Sequence, residues 1–516
     1  MRTLGILVLA SMLMLTSCTE DFLSTPSLTQ PAGDQPFKSA NDVNLALNGV
    51  YSVLQSNTMY GGNLNGFQGY PGYDGLGDNA FNQYKWEGLG LFMEGNLTPA
   101  SGPVLSHWND LYQGISRVNL VISKLNQVEG GDLSPDQVNE YLGQAYFLRA
   151  LFYFNLAVYF EDAPLITEPQ TIAESYVAKN TYDEITSQIV EDLTFASENL
   201  PISHPSELYG YATRGAALSL FARVQLYNGN YDGPNGVLEL TNEVLGLGYS
   251  LHPNYAELFT PENETSPEVI FSVRFKRELG FNNGETFSAT FIGTPKVDIR
   301  PMPNLVNSYY DINGQPVADV SALPTDQRDP RANATIFFEG DVFLEDINRF
   351  YGVAPVAKGP TGFATKKYIR KNESDEEGVR SFNAGSQDFY VIRYADVLLM
   401  RAEAMAETGD IAGATAMVNE VRARVGMPSV ESVEGAVSQA EMIDIVRHER
   451  RVELALEGLR FMDLKRWGEI EEAFNRAIAD PVGPYNPVFQ GRKSEVLPIP
   501  QNELDVNPNL VQHPAW

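Results

Sequence analysis

Ala222-Arg223-Val224-Gln225-Leu226-Tyr227-Asn228-Gly229-Asn230 and Ala402-Glu403-Ala404-Met405-Ala406-Glu407-Thr408-Gly409-Asp410 are two copies of one pattern. Each opens on a small alanine, continues as a helical run and closes on a Gly-Asn or Gly-Asp turn. Downstream, Asn242-Glu243-Val244 matches Asn419-Glu420-Val421, after three extra residues in the first copy. The alanine lets paired helices approach closely, and the glycine supplies the left-handed cap that ends the first helix. The pattern describes a tetratricopeptide-like hairpin, a unit that stacks side by side into a scaffold.

Outward from this repeat, apolar residues recur at three- and four-residue spacings. The first such run has Val43, Leu47, Val50 and Leu54, with Ser39 as its N-cap. Further helices are predicted over 105–125, 134–160, 182–200, 213–228 and 238–247. They return over 394–408, 412–424, 439–457 and 468–478. Two long stretches lack the pattern. Residues 59–103 are rich in Gly, Asn and aromatics, and 253–387 mix turn residues with β-like runs such as Val269-Ile270-Phe271-Ser272-Val273-Arg274-Phe275. Ordered loops this long are usually functional. The fold class expected is mainly α: tetratricopeptide-like hairpins packed with a loop-rich, irregular part containing a few short strands.

The N-terminus fixes an expected compartment. Cys18 is the single cysteine in 516 residues, and it closes Leu15-Thr16-Ser17-Cys18 after a basic Arg2 and an apolar run from Leu4 to Leu15. This reads as a secretion signal with a lipobox, 1–17 being the signal peptide and Cys18 the acylated residue. The apolar run is too short to cross about 30 Å of hydrocarbon. Acyl chains on Cys18 would hold the body on a membrane. Residues 18–37 read as a lipidated tether, and 38–516 as one domain with its helical scaffold mainly in 38–58, 104–250 and 388–480. Thr19-Glu20-Asp21 reads either as a surface-export signal or as a plain hydrophilic linker.

The formal charge is −30 and the isoelectric point about 4.5. No basic stripe is present to displace counterions, which argues against a nucleic-acid partner. With no thiol beyond Cys18, disulfides and cysteine catalysis are excluded from the body. A chain this long can build a core without disulfides.

From end to end the chain resembles the SusD/RagB family of outer-membrane nutrient-binding lipoproteins. The resemblance is carried by Asp21-Phe22-Leu23, Phe37-Lys38-Ser39, Leu47-Asn48-Gly49-Val50-Tyr51, Trp108, Tyr112, Ile115, Asn119 and Ala145-Tyr146-Phe147-Leu148-Arg149-Ala150. It continues through Arg328-Asp329-Pro330-Arg331 and the run Arg393 to Ala404. It ends with Glu449 to Leu454, Glu457-Gly458-Leu459-Arg460-Phe461, Asp463-Leu464-Lys465-Arg466-Trp467, Leu497-Pro498-Ile499-Pro500 and Asn507-Pro508-Asn509. Gln512-His513-Pro514-Ala515-Trp516 departs slightly from the family's usual tail. The resemblance implies a non-catalytic, cell-surface protein. It would bind glycans or oligosaccharides and deliver them to a SusC-like TonB-dependent transporter in the outer membrane. A peptide or other nutrient binder on the same scaffold, a secreted glycoside hydrolase and a pure assembly scaffold are the competing readings.

In this family ligands sit in variable loops, so site residues are sought in 59–103 and 253–387. Aromatic rings stack on sugar C–H faces, and amides, carboxylates and guanidinium groups pair with hydroxyls. The first loop offers Trp86, Tyr73, Asp74, Asp78, Asn79 and Tyr84. The second offers Phe281, Asn282, Asn283, Arg300, Arg349 and Tyr351. Trp86 leads as a large ring outside any helical pattern, and Asp78-Asn79 reads equally as an Asx turn. Trp108 and Trp467 belong to amphipathic helices and are expected in the core, with Trp516 as a packing anchor.

No catalytic motif stands out. His448-Glu449 lacks the second histidine of H-E-x-x-H, and no G-x-S-x-G elbow is present. Asp74 and Asp78 are the candidate carboxylates for glycoside hydrolysis. Arg450, Arg451, Glu453, Glu457 and Arg460 sit at helical spacings and read as ion pairs within a structural helix. No cofactor is expected. A structural calcium ion is compatible with the family, and Asp341, Glu345 and Asp346 offer oxygens, though without EF-hand spacing.

Overall fold

The computed structural model describes residues 37, 39–62, 69–84, 88–128, 133–278, 281–288, 298–339, 341, 359–368, 385–480, 482–483 and 485–516. Cys18, the leader and nearly all of the tether lie outside the described residues. The tether's last residue, Phe37, is buried, with the Lys124 ammonium 5.5 Å from its ring centroid.

Eight helices form four serial hairpins: α1 (Ala40–Leu54) with α2 (Gly102–Leu125), α3 (Pro135–Phe160) with α4 (Tyr182–Asn199), α5 (Arg214–Tyr227) with α6 (Val237–Leu245), and α7 (Tyr394–Glu407) with α8 (Ile411–Arg424). Each helix packs on the next in this order, α6 against α7 included. The last hairpin therefore stacks on the third although the whole central region intervenes. No tetratricopeptide-like unit buries its apolar face alone, so stacking gives the array its continuous core.

Local sequence explains the helix ends. Ser39, Ser134 and Thr181 each close a capping box, accepting from the backbone of Asp42, Gln137 and Glu184. α3 is buried on every side from Leu142 to Phe160, except at Tyr146. A helix apolar all round sits at the centre of a fold, and α3 does.

The repeat is exact in its turns. Asn230 and Asp410 donate their N–H groups to Gln225 and Met405, at 2.9 and 2.8 Å. Gly229 and Gly409 donate to Leu226 and Ala406, at 3.2 and 3.1 Å, from left-handed φ values of 68° and 87°. These are the two bonds of a Schellman cap, in both copies. Ala222 and Ala402 are fully buried. The residues after them, Arg223 and Glu403, are buried too, and each finds an opposite charge: Arg223 reaches Asp396 at 2.7 Å, and Glu403 reaches Arg466.

The central region is clamped at its ends. Strand β2 (Val269–Val273) leaves the third hairpin, and β8 (Phe389–Arg393) pairs with it antiparallel and runs directly into α7. Between them lie the pairs β3 (Lys276–Glu278) with β4 (Phe281–Asn283) and β6 (Ile336–Phe337) with β7 (Ala364–Thr365), while β5 (Ile299–Pro301) pairs with β1 (Ala80–Asn82) of the N-terminal loop.

One predicted helix is divided. The spacing predicts 439–457, but α9 (Gln439–Glu453) stops early and α10 (Arg460–Trp467) follows a tight turn, with α11 (Ile470–Ala479) beyond. Leu456 and Gly458 take left-handed φ values of 63° and 79° in that turn. A Cβ at Gly458 would collide with the Tyr70 carbonyl. The reason for the break is therefore tertiary: the N-terminal loop presses against this turn.

The charges on α9 also differ from expectation. They are structural, but they pair across the fold instead of along the helix. Arg450 meets Asp396 at 2.8 Å, Glu453 meets Arg393 at 2.7 Å, and Glu449 meets Arg422 at 2.8 Å. α9 is packed against α7 and α8, so Glu449, Arg450 and Glu453 are buried and have no water to face.

A buried acidic pair lies beside β2. Asp388 donates its N–H to Glu264 at 2.7 Å, and its own carboxylate accepts the Phe275 N–H at 2.9 Å. Burial raises both carboxyl groups, and the Asp388 charge adds to the rise at Glu264. A raised acid binds its proton more tightly when folded, so the folded chain is favoured at low pH and loses stability as pH climbs through the raised value. Urea unfolding from about pH 5 to about pH 8 should show declining stability, and Glu264→Gln should flatten that decline. An equal decline in both proteins would refute the assignment.

Candidate functional site

The two loop-rich stretches meet. In the β1–β5 pair Phe81 stands opposite Arg300, and the pairing is extended by Gln83 N–H to the Asp298 carbonyl at 2.7 Å and Met302 N–H to the Asn79 carbonyl at 2.9 Å. Thr365 ties β7 to the Ile299 carbonyl at 2.9 Å. Elsewhere along the seam Gln55 donates to the Arg274 carbonyl at 2.5 Å and accepts from Asn283 at 2.8 Å, and Thr286 N–H reaches the Gly61 carbonyl at 2.8 Å.

Beside β1 lies a shallow cleft open to solvent. Its lining includes Gly72, Gly75 and Gly88 together with Tyr73, Leu76, Asn82 and Ile299. Asn82 anchors the rim, accepting the Tyr84 N–H at 3.1 Å. The Arg300 side chain joins both loops, reaching Gln83 and the Phe363 carbonyl, the latter at 3.1 Å.

The structure sorts the residues expected at the site into four groups. Tyr84, half-buried, and Arg300 stand on or beside the β1–β5 pair, and Asn283 is exposed and bonded to Gln55. Trp86, Tyr351 and Arg349 lie outside the described residues. Phe281 and Asn282 are placed in β4 by their backbone.

The remaining four are buried in the framework, which corrects the expectation that Asp74, Asp78 and Asn79 face ligand, while Tyr73, also buried, still borders the cleft. Tyr73 packs its ring at 4.9 Å from Tyr70 and 5.3 Å from Tyr159. Asp74 is fully buried and accepts the N–H groups of Leu456 and Arg460, the second at 3.3 Å, capping the turn between α9 and α10. Burial lifts Asp74 to about 6, against the pull of those two donors. Asp78 is fully buried between Arg460 at 2.7 Å, Arg476 at 2.6 Å and Arg451 at 3.3 Å. Those guanidinium groups outweigh burial and hold its carboxyl well below the usual range. Asn79 accepts from Arg451 at 2.9 Å.

The same facts remove Asp74 and Asp78 as a hydrolytic pair. Glycoside hydrolysis needs two carboxyl groups open to the scissile bond, one of them free to give a proton. Asp74 is occupied by backbone donors and Asp78 by three cations.

Sequence reasoning passed over Asn82, Gln83 and Gln55. Their signal was present, as amides bordering loops of expected function, but only the pairing of β1 with β5 shows that they stand at the seam. Trp108 is core as expected, and Trp516 anchors the tail through its indole N–H to the Val496 carbonyl at 3.1 Å. Trp467 is half-buried, donating to Glu403 at 2.8 Å. For calcium, Asp341 pairs with Lys366 at 3.6 Å, while Glu345 and Asp346 fall outside the described residues. Among the described residues no cluster of three metal-ligating side chains occurs, and no helix is long and apolar enough to cross a membrane.

Comparison with known proteins agrees with this architecture. A family model described as SusD family matches residues 267–516, and one described as starch-binding associating with outer membrane matches residues 43–226. A SusD-like protein of Formosa agariphila is 27% identical, the alignment covering 100% of this chain and 99% of the relative. A SusD-like carbohydrate-binding protein of Bacteroides fragilis has a solved structure with a TM-score of 0.78 at 25% identity, covering 92% of this chain and 99% of its own. A laminarin-binding SusD-like protein matches with a TM-score of 0.73 at 28% identity, over 93% of this chain and 100% of its own. With the stacked hairpins, the clamped central region and both family models in agreement, this chain belongs to the SusD/RagB family.

Proposed function

We propose that this chain is a non-catalytic carbohydrate-binding lipoprotein. It is held on the outer membrane by acyl chains on Cys18, faces the cell exterior and passes oligosaccharides to a SusC-like TonB-dependent transporter. The observation that carries the reading is the end-to-end likeness to a laminarin-binding relative in both sequence and fold. The shallow cleft beside β1 supports it, because it sets a tyrosine ring and the Asn82 amide at one concave seam. Ligand contacts are assigned to Trp86, Tyr84, Asn283, Arg300, Phe281 and Tyr351. The framework commitments of Asp74 and Asp78 favour binding without turnover. Tethering supports delivery, since an anchored binder is held at high local concentration near its transporter.

Calorimetry against a panel of polysaccharides, with reducing-end release assayed in parallel, tests this. Binding without release is expected, with Trp86→Ala weakening it by about tenfold or more. Reducing-end release would overturn the non-catalytic reading. Silence across polysaccharides with binding of peptides would replace the carbohydrate reading by a peptide one.

A further inference from the structure

A second cleft lies on the helical scaffold itself. It holds about 870 Å³ of open space between α2, the loop after α3 and the C-terminal segment, and shares no lining residue with the cleft beside β1. Two tyrosines face it, Tyr112 and the 40% exposed Tyr176. Asn109 and Gln113 also line it. They sit one helical turn apart on the exposed side of α2, and neither side-chain amide makes a hydrogen bond among the described residues. Two such amides offer donors and acceptors that suit sugar hydroxyls.

The walls are held in place before any ligand arrives. Tyr112 donates its hydroxyl to the Pro164 carbonyl at 2.8 Å. Asn509 and Asn507 donate to the carbonyls of Tyr176 and Val177, at 2.6 and 2.8 Å. The loop carrying Tyr176 is thus pinned to the C-terminal segment, and a pinned wall loses little entropy on binding. Among the described residues, Glu503 is the only acidic side chain in the lining, and no Lys, Arg or His lines it. A carboxylate accepts from hydroxyls but repels sulfate and uronate groups.

From this geometry we infer that the cleft formed by Asn109, Tyr112, Gln113, Tyr176 and Glu503 is a second carbohydrate site, selective for a neutral stretch of glycan. The inference rests on the carbohydrate reading above.

The test is calorimetry on the full chain with short neutral laminari- and malto-oligosaccharides beside a sulfated oligosaccharide. The parent should bind a short neutral oligosaccharide at two sites, and the Tyr176→Ala/Gln113→Ala double variant at one. The site remaining in that variant should keep the affinity it has in the parent. A single site in the parent, or a variant indistinguishable from it, overturns the second site but leaves the carbohydrate reading standing. Preferential binding of the sulfated oligosaccharide at the site lost in the variant overturns the selectivity for neutral sugar. Failure of every sugar to bind the parent overturns the carbohydrate reading and this inference with it.

Discussion

Arg393→Ala should lower the unfolding free energy by on the order of 3–5 kcal/mol, because it strands buried carboxylates. Arg393 is about as deeply buried as an arginine can be, with 1% of its side chain exposed. Its guanidinium reaches Glu268 at 2.8 Å, Glu453 at 2.7 Å and Glu457 at 2.8 Å, and also donates to the Glu453 carbonyl at 2.9 Å. These partners come from the region before β2, from α9 and from the turn after it. One side chain therefore joins the clamp of the central region to the helical array. Arg331, Arg424 and Lys367 would remain near the stranded acids, at 3.3 Å from Glu453, 3.3 Å from Glu268 and 2.8 Å from Glu457, and limit the loss.

Arg393→Lys keeps the charge but not the planar fork, and should fall between parent and alanine variant. Urea titration with an unchanged slope reads the difference directly. Burial alone would raise the Glu453 carboxyl, but Arg424, Arg393 and Arg331 together lower it. Its stabilising share is therefore complete above the ordinary glutamate range and is lost as pH falls toward the lowered value. Arg393→Ala should accordingly show less acid-dependent loss than the parent. A cost below about 1 kcal/mol would mean that the network reorganises around the gap.

Asp78→Ala is the second large effect expected, again on the order of 3–5 kcal/mol. It leaves Arg451 and Arg460 buried side by side without their shared counterion. Arg476 is 35% exposed and can turn to solvent, so the loss should lie toward the lower end. A functional consequence follows from position. Asp78 pins the N-terminal loop to α9, α10 and α11 just before β1 begins. Its removal should loosen the seam with β5 and weaken ligand binding although Asp78 touches no ligand. Limited proteolysis should then cut within 59–103 sooner than in the parent. Asp78→Ala with parent-like stability but lost binding would instead return Asp78 to the ligand.

Residue identity made some of this plain from the start. The Schellman turns at Gly229 and Gly409 were legible because a left-handed cap is a local event, decided within six residues. The capping boxes at Ser39, Ser134 and Thr181 are equally local, so those helices start within a residue or so of where the spacing places them. The break after Glu453 was not legible. It depends on Asp74, nearly four hundred residues away in sequence, donating no apolar signal and arriving only when the N-terminal loop folds back. The same distance hid the fate of Asp78. An acid in a Gly-rich loop looks like a ligand contact until three arginines from the far end of the chain close around it.

The sequence by itself determined the hairpin scaffold, the loop-rich regions between its parts and the family resemblance, since periodicity, caps and motif order are carried by neighbouring residues. Only the tertiary structure decided which loop residues face outward. The same polar side chain serves as ligand contact in water and as framework when an opposite charge is buried beside it, and long-range packing alone brings that charge into place.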